Sequence, residues 1–453
     1  MGQKAAVKIE VSGHKMKGSY RWKVIIPMLF VMYTMAYIDR TNISFALTEM
    51  QKTFAISSTV SGFIAGIFFC GYILLMAPMG HLASRKSARN IVVTLGLLTA
   101  VFSSMQGMVN SIGMLVFIRF LLGLVEGGIY PAMGVLIANW FPQHERGRAA
   151  GIFFLYVTVA PLVMSPISGY FVANIHWFGI DSWRWVFITQ GIPVVFLSLL
   201  FFYLVPDHPL KASKKRISDQ ERSYLLEQLA IEASKPKVIQ EKTYWKAALN
   251  RNFIFVSLAY FLGGGVGNYG IIIWLPVILK EFSALGYTSV GFLSAIPWLI
   301  GTIGMVSIGV INDKFGNKKV LLFWLNTIAG ISLLSAILAL GHNIWLAIFF
   351  ISITIVGGMS SSAVFMTLLA DVLPSNMMGG MMGLWNAIGN IGGFVGPFVV
   401  GALMAGGNSL LGVGFLSCCY IICSIVVLFV KLRQKEAVSL QTAATIEKGD
   451  EEE

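Results

Sequence analysis

The stretch "VIIPMLFVMYTMAYIDRTNISFAL", Val24 to Leu47, is long and apolar, yet it carries an acid and a base side by side, Asp39 and Arg40. About 20 residues of α-helix cross a hydrocarbon layer roughly 30 Å thick. A charged side chain near the middle of such a helix costs at least about 2.5–3.5 kcal/mol, so it normally faces a cavity or a partner. The stretch therefore predicts a membrane helix that borders a polar space within a helical bundle.

The rest of the chain has the same apolar character. Of its 453 residues, 56% are hydrophobic and 12% are charged, whereas about 25% are charged in a soluble domain. Long apolar runs lie at residues 24–46, 59–83, 91–109, 112–139, 149–172, 183–205, 252–280, 289–311, 319–340, 343–369, 379–405 and 409–431. We therefore predict an all-α polytopic membrane protein with twelve transmembrane helices.

The formal net charge of +12 is not spread evenly. Lys and Arg gather in alternate loops, at residues 4–23, 85–89, 146–148, 211–246, 314–319 and 431–435. This positive-inside pattern predicts that both termini and the long central loop face the cytoplasm, in an inner or plasma membrane. It also accounts for the charge without nucleic acid, so we expect membrane lipids as surroundings and no nucleic-acid partner.

The apolar runs divide the chain into two halves. The predicted parts are a basic N-terminus (1–23), a first six-helix bundle (24–205), a cytoplasmic linker (206–251), a second six-helix bundle (252–431) and a tail expected to be disordered (432–453). In the linker, Ser218 and Glu221 fit a capping box before a short amphipathic helix. Its basic face either rests on anionic lipid headgroups or is simply solvated.

No motif for catalysis or metal binding accompanies these helices. The four cysteines lie in apolar runs without metal-ligand spacing and are interpreted as small hydrophobic residues. No H-E-x-x-H, G-x-S-x-G or P-loop pattern occurs. We therefore expect no cofactor, no metal and no enzymatic activity.

The two halves repeat a loop sequence. "GHLASRKSAR" (Gly80–Arg89) follows the second apolar run and "GVINDKFGNK" (Gly309–Lys318) follows the eighth, each with Gly first and basic residues at the sixth and tenth positions. This recurrence indicates a duplicated six-helix unit, a plan used by secondary transporters.

These loops resemble the signature G-x-L-x-D-R-x-G-R-[RK] of the major facilitator superfamily. Arg119 and Gly123 in "RFLLGLVEGG" resemble its R-x-x-x-G element. "YIDRTN", "EGGIYP", "WFPQHERGRA", "WRWVFI" and "PDHP" resemble the anion:cation symporter branch. The resemblance covers essentially the whole chain. It implies proton-coupled import of organic carboxylates by alternating access of the two bundles. It also implies gating roles for the loop residues Gly80, Ser84, Arg85, Arg89, Gly309, Asp313 and Lys314.

One position departs from that signature. Its fifth residue is an acid that, in the family, holds the two halves together on the cytoplasmic side. Here the first loop has Ser84 at this position, while the second keeps Asp313. We therefore expect an outward-facing state that is less strongly favoured than in relatives.

Four ionisable residues lie deep in predicted helices: Asp39 and Arg40 in the first, Arg119 and Glu126 in the fourth. Burial favours a neutral carboxyl, whereas a nearby guanidinium favours the carboxylate, so a substrate anion on the arginine would alter protonation. We predict that Arg40 binds the anionic group, because its planar fork matches a carboxylate. Asp39 and Glu126 are predicted to carry protons, with Arg119 tuning Glu126. The alternative is a charge network that only fixes the two helices together.

Neutral residues complete the predicted site. The candidate substrate-binding residues are Tyr37, Asn268, Tyr269, Trp274, Asn386 and Asn390, each with helix packing as the alternative. Sugar-acid carriers of the branch place a polar residue near position 157, where this chain has Val157. That difference favours an aromatic or less hydroxylated carboxylate.

The sequence therefore predicts a monomeric symporter of a small organic anion and protons. An exporter or antiporter of the same fold is the alternative, although the antiporter signature G-P-x-x-G-G appears only as "SPISGY", Ser165 to Tyr170. A membrane sensor or enzyme is a further alternative that no motif supports.

Overall fold

Twelve helices long and apolar enough to span a membrane make up the computed structural model, which describes residues 19–234, 247–373 and 378–431. They are α1 (Arg21–Phe54), α2 (Ser58–Arg85), α3 (Ala88–Gln106), α4 (Ile112–Trp140), α5 (Gln143–Asn174), α6 (Ser182–Leu204), α7 (Arg251–Glu281), α8 (Tyr287–Lys314), α9 (Lys318–Ala339), α10 (Ile344–Val372), α11 (Met378–Met404) and α12 (Ser409–Leu428). The described residues contain no strand. The predicted all-α fold with twelve spans is confirmed.

The two halves share one packing plan. In the first half α2 packs on α4 and α3 packs on α4 and α6; in the second half α8 packs on α10 and α9 packs on α10 and α12. Glycine permits the closest of these approaches. A Cβ on Gly123 would lie 1.9 Å from the carbonyl oxygen of Phe68, which explains the R-x-x-x-G pattern in α4. The repeated packing gives the pseudo-symmetric bundles that the sequence predicts.

The two halves meet mainly at one end of the molecule. We call the end where α1 begins and α12 finishes the termini face, and the other end the opposite face. At the opposite face α2 packs on α11 and α5 on α8, so closely that a Cβ on Gly62 would lie 2.3 Å from the carbonyl oxygen of Pro397. Tyr287 Oη in α8 also donates a hydrogen bond to Glu49 Oε1 in α1 at 2.7 Å. The opposite face is therefore closed.

The termini face has no such closure. Within residues 19–234, 247–373 and 378–431, no hydrogen bond or ion pair joins the halves there; the described links between halves are Arg40–Tyr269, midway along the helices, and two bonds at the opposite face. The chain is thus held together at one end and at its centre.

A helix in the linker (Asp219–Ala233) is fastened to the first half. Ser218 Oγ accepts a hydrogen bond from the Glu221 backbone N–H at 3.1 Å, as a capping box requires. The Glu221 carboxylate does not turn back to the cap; it accepts from Arg21 Nη1 at 2.8 Å and from the Tyr20 backbone N–H at 2.9 Å. Residues 1–18, most of the predicted basic N-terminus, and the acidic tail from residue 432 lie outside the described residues.

Candidate functional site

A cavity lies between the two halves, midway along the helices. Its first wall consists of Tyr37, Arg40, Tyr72, Tyr130, Phe154, Tyr156 and Val157. Its second wall consists of Tyr260, Gly264, Asn268, Tyr269, Ile272, Met359, Ser362, Asn386, Gly389 and Asn390. The first half therefore contributes aromatic rings and one cation, and the second half contributes mainly amides, hydroxyls and glycines.

Arg40 is held by aromatic faces, with few hydrogen bonds. Its guanidinium carbon lies 4.5 Å from the ring centre of Tyr72 and 4.7 Å from that of Tyr37, a cation–π arrangement. Nη1 donates to Tyr269 Oη at 3.2 Å, while the buried Nε and Nη2 have no hydrogen-bond partner among the described residues. Nε is 3.7 Å from Glu126 Oε2, beyond hydrogen-bond distance. Arg40 thus lines the cavity as a buried cation, and two of its N–H donors have no hydrogen-bond partner among the described residues.

The two acids lie behind this wall and do not line the cavity. Asp39 and Glu126 are fully buried. Asp39 Oδ1 accepts a hydrogen bond from Ser103 Oγ in α3 at 2.7 Å. Asp39 Oδ2 and Glu126 Oε1 have no partner among the described residues. Each carboxyl group therefore has one buried oxygen free to carry a proton.

Arg119 bonds mainly to backbone carbonyls and to one amide. Its Nη1 donates to the Asp39 backbone carbonyl at 3.3 Å and to Gln106 Oε1 at 3.2 Å, and its Nε donates to the Ile64 carbonyl at 3.4 Å. It makes no ion pair with Glu126; the ion pair of Glu126 is with Arg40. Arg119 thus supports the backbone that carries Asp39, and its predicted tuning of Glu126 stays a prediction.

A chain of hydrogen bonds runs from Arg40 into the second wall. Tyr269 Oη, which accepts from Arg40, lies 3.4 Å from Asn390 Oδ1 and donates to it. Asn390 Nδ2 in turn donates to Asn386 Oδ1 at 2.5 Å. Tyr37, Tyr269, Asn386 and Asn390 all line the cavity, so the structure brings these predicted candidates together with Arg40.

The side chains of two other predicted residues form hydrogen bonds between helices. Asn268 borders the cavity, but its Nδ2 donates to Gly358 O and Ser362 Oγ, and its Oδ1 accepts from Tyr420 Oη at 2.7 Å. Trp274 does not line the cavity; it is fully buried, with Nε1 donating to the Pro397 carbonyl at 3.0 Å where α7 meets α11. Asn268 therefore joins helices of the second half, and Trp274 packs toward the opposite face.

The residues of the two loop motifs lie apart from each other at the termini face. Ser84 Oγ donates to the His81 carbonyl at 2.8 Å, and the Arg89 backbone N–H donates to Asp207 Oδ1 at 2.8 Å, both within the first half. The side chains of Arg85, Asp313 and Lys314 are exposed. A Cβ on Gly80 would meet Pro131 of α4, and one on Gly309 would meet nothing. Neither motif makes a described hydrogen bond to the other half.

Several residues of the site were not predicted from the sequence. Ser103 and Gln106 are three residues apart at the end of α3, and this polar pair on one helix face was an available signal. Tyr72, Tyr130 and Tyr260 gave none, because a tyrosine within an apolar run looks the same whether it packs in a core or lines a cavity.

A membrane-spanning bundle of two similar halves around a central cavity, with one buried cation at its wall, defines a secondary transporter. The chain belongs to the Major Facilitator Superfamily, whose family model matches residues 29–397 and 285–446.

Named relatives and solved structures agree with this. The chain is 31% identical to a quinolone resistance transporter of Acinetobacter baumannii over 87% of this chain and 90% of that one. It is 30% identical to a putative tartrate transporter of Agrobacterium vitis over 83% and 86%, consistent with the predicted anion:cation symporter branch. The inward-open xylose transporter XylE of E. coli has the same fold, with a TM-score of 0.72, 17% identity and coverage of 91% and 97%.

Proposed function

We propose that this protein imports a small organic anion together with protons by alternating access. The observation that carries the proposal is Arg40, a buried cation at the cavity wall with two uncommitted donors. A guanidinium edge with two free N–H donors matches the two oxygens of a carboxylate. Glu126, 3.7 Å from Nε behind the cavity wall, competes with an incoming anion for the positive charge of Arg40.

Charge balance supports proton coupling. Two acids and two arginines make a buried group with no net charge when all are ionised. An anion bound to Arg40 adds one negative charge, and an uncompensated buried charge costs several kcal/mol. Protonation of Asp39 or Glu126, each with an oxygen free to accept a proton, removes that cost. The substrate anion and one proton are thus bound together, as the predicted roles of these residues require.

The sidedness of the proposal comes from the basic loops. From the Lys and Arg in its loops we infer that the termini face lies on the cytoplasmic side of the inner or plasma membrane. The cavity is then closed toward the outside by α2 on α11 and α5 on α8. We infer a monomer in which the two six-helix bundles rock about the cavity. In this proposal residues 206–251 are the cytoplasmic linker between the bundles.

Counterflow in proteoliposomes tests the binding role of Arg40. Vesicles preloaded with one carboxylate and diluted into the same labelled compound accumulate label if the protein carries it. A thermal-shift screen of dicarboxylates, sugar acids and aromatic acids first selects the compound. Arg40→Gln is expected to abolish counterflow, while Lys214→Gln, at an exposed linker residue, leaves it intact. Unchanged counterflow in Arg40→Gln contradicts the assignment.

Export is the second candidate, favoured by the relative named as a quinolone resistance transporter. The two directions are separated by one measurement with the same vesicles. A proton gradient directed into the vesicle drives accumulation of the compound by a symporter and its loss by a proton antiporter. Loss of preloaded compound under this gradient would show that the protein exports the compound and would overturn the proposal of import.

A further inference from the structure

We propose that the cavity selects an aromatic monocarboxylate whose remaining polar group is uncharged. The inference rests on the proposed transport of organic anions and narrows it to one substrate class. It is drawn from the number of charges at the cavity and from the unequal chemistry of the two walls.

The cavity presents a single charge. Among its lining residues, Arg40 is the one charged side chain, and the described residues place no acid or second cation on either wall. One guanidinium neutralises one carboxylate. A second carboxylate on the same ligand has no cation to meet, and an unpaired buried charge is strongly unfavourable. The site therefore discriminates against dianions.

The first wall is built to contact a flat ring. The first wall contains five aromatic rings: Tyr37, Tyr72, Tyr130, Phe154 and Tyr156. Their rings already pack at angles with one another, for example Tyr37 and Tyr156 at 5.0 Å and 59°. Aromatic side chains favour offset or edge-on contact with another ring. The wall thus favours an aromatic body.

The second wall offers neutral hydrogen-bonding groups. Asn386 and Asn390 are four residues apart on α11, and Tyr269 connects them to Arg40. Amides donate and accept but do not neutralise a carboxylate. A hydroxyl, carbonyl or carboxamide on the ring is therefore accepted here.

Matched compounds test the charge count. 3- and 4-Carbamoylbenzoate have the same shape as isophthalate and terephthalate but one carboxylate fewer, and 4-carbamoylcyclohexanecarboxylate lacks the aromatic ring. Binding to the purified full chain is measured by isothermal titration calorimetry. We expect one carbamoylbenzoate to bind at least about tenfold tighter than its dicarboxylate counterpart and than the cyclohexane compound.

A charge-adding variant sharpens the test. Asn386→Lys places a cation on the second wall and is expected to raise the affinity for the dicarboxylate relative to its carboxamide by at least about tenfold. Asn110→Lys, in the exposed loop between α3 and α4, is the control and leaves the ratio unchanged.

The outcomes separate the two proposals. Equal or tighter binding of a dicarboxylate or of the cyclohexane compound to the wild-type chain overturns the substrate class but leaves anion transport standing. If no carboxylate of any class in the preceding screen binds, proposed function and inference both fail. Should Asn386→Lys not fold, the wild-type compound series still decides.

Discussion

Glu126→Gln removes the one carboxylate that faces Arg40 and keeps the side-chain volume. The charges are 3.7 Å apart and both side chains are buried. At an effective dielectric constant of 20, their attraction is about 4 kcal/mol. The variant loses this attraction, and the buried group of two acids and two arginines changes from neutral to a net charge of +1.

Two consequences follow for binding. A substrate carboxylate no longer competes with Glu126 for the guanidinium edge, so we expect at least about tenfold tighter binding at neutral to alkaline pH, which uses about 1.4 kcal/mol of the lost attraction. In the wild type, anion affinity falls as pH rises, because Glu126 competes only when ionised. In Glu126→Gln this dependence disappears. Without ligand the variant has an unpaired buried arginine and unfolds at a lower temperature, and the bound anion restores its stability.

We expect anion transport by Glu126→Gln to lose its coupling to protons. In proteoliposomes, Glu126→Gln is expected to keep exchange of labelled for unlabelled anion, because substrate alone neutralises Arg40. Accumulation driven by a pH gradient is expected to vanish, because no proton needs to accompany the anion. Asp371→Asn is the matched control: this acid pairs with Lys318 at 2.6 Å, away from the cavity, and its loss leaves accumulation intact.

Two results would refute the reasoning. Normal accumulation by Glu126→Gln under a pH gradient would show that Glu126 does not carry the coupled proton. If the affinity of the variant for the anion still falls as pH rises, another group competes for Arg40, and Asp39 is then the next candidate.

Three further predictions concern the gates. Tyr287→Phe removes the 2.7 Å hydrogen bond to Glu49. A hydrogen bond to a charged group contributes about 1.5–3 kcal/mol. We therefore expect the conformational equilibrium to shift about tenfold toward an open opposite face. Gly62→Ala places a Cβ 2.3 Å from the Pro397 carbonyl, so it disfavours the closed opposite face by about 1–3 kcal/mol. Ser84→Asp restores the acid of the loop signature and is expected to favour closure of the termini face.

One assay reads all three gate variants. A single cysteine introduced on the cavity wall, in a background without the four native cysteines, is labelled from either side with a membrane-impermeant reagent. Tyr287→Phe and Gly62→Ala should increase labelling from the opposite face, and Ser84→Asp should decrease labelling from the termini face. Gly134→Ala is the control for Gly62→Ala, since its Cβ would meet nothing within 4 Å. An unchanged labelling pattern in a gate variant contradicts the role given to that residue.

Much of the fold could be predicted because membrane insertion leaves a direct trace in composition. A helix in lipid must be long and apolar, so each of the twelve runs was visible, and the few charges inside them stood out. The N-cap of the linker helix at Ser218 could be predicted as well, because it depends only on residues close together in the sequence. Ion pairs between helices could not be predicted in this way. Glu126 lies seven residues from Arg119 on α4, yet its ion pair is with Arg40 of α1.

The tyrosines of the cavity and the position of Trp274 illustrate the same limit. Spans such as α4 and α7 have apolar residues on all sides between their few polar ones, so their sequences do not record which face meets lipid, the core or the cavity. Tyr130 and Tyr260 line the cavity, whereas Trp274, in an equally apolar setting, bonds to Pro397 near the opposite face. Helix packing between distant segments decides these orientations.

The sequence by itself therefore determined the membrane class, the twelve spans, the duplicated halves and which residues carry charge, because these depend on local composition and spacing. Only the tertiary structure decided that Arg40 faces the cavity with Glu126 behind it, that Arg119 holds backbone carbonyls, and that an aromatic wall opposes an amide wall. These features depend on how helices rotate about their axes to pack, which requires contacts between residues far apart in the chain.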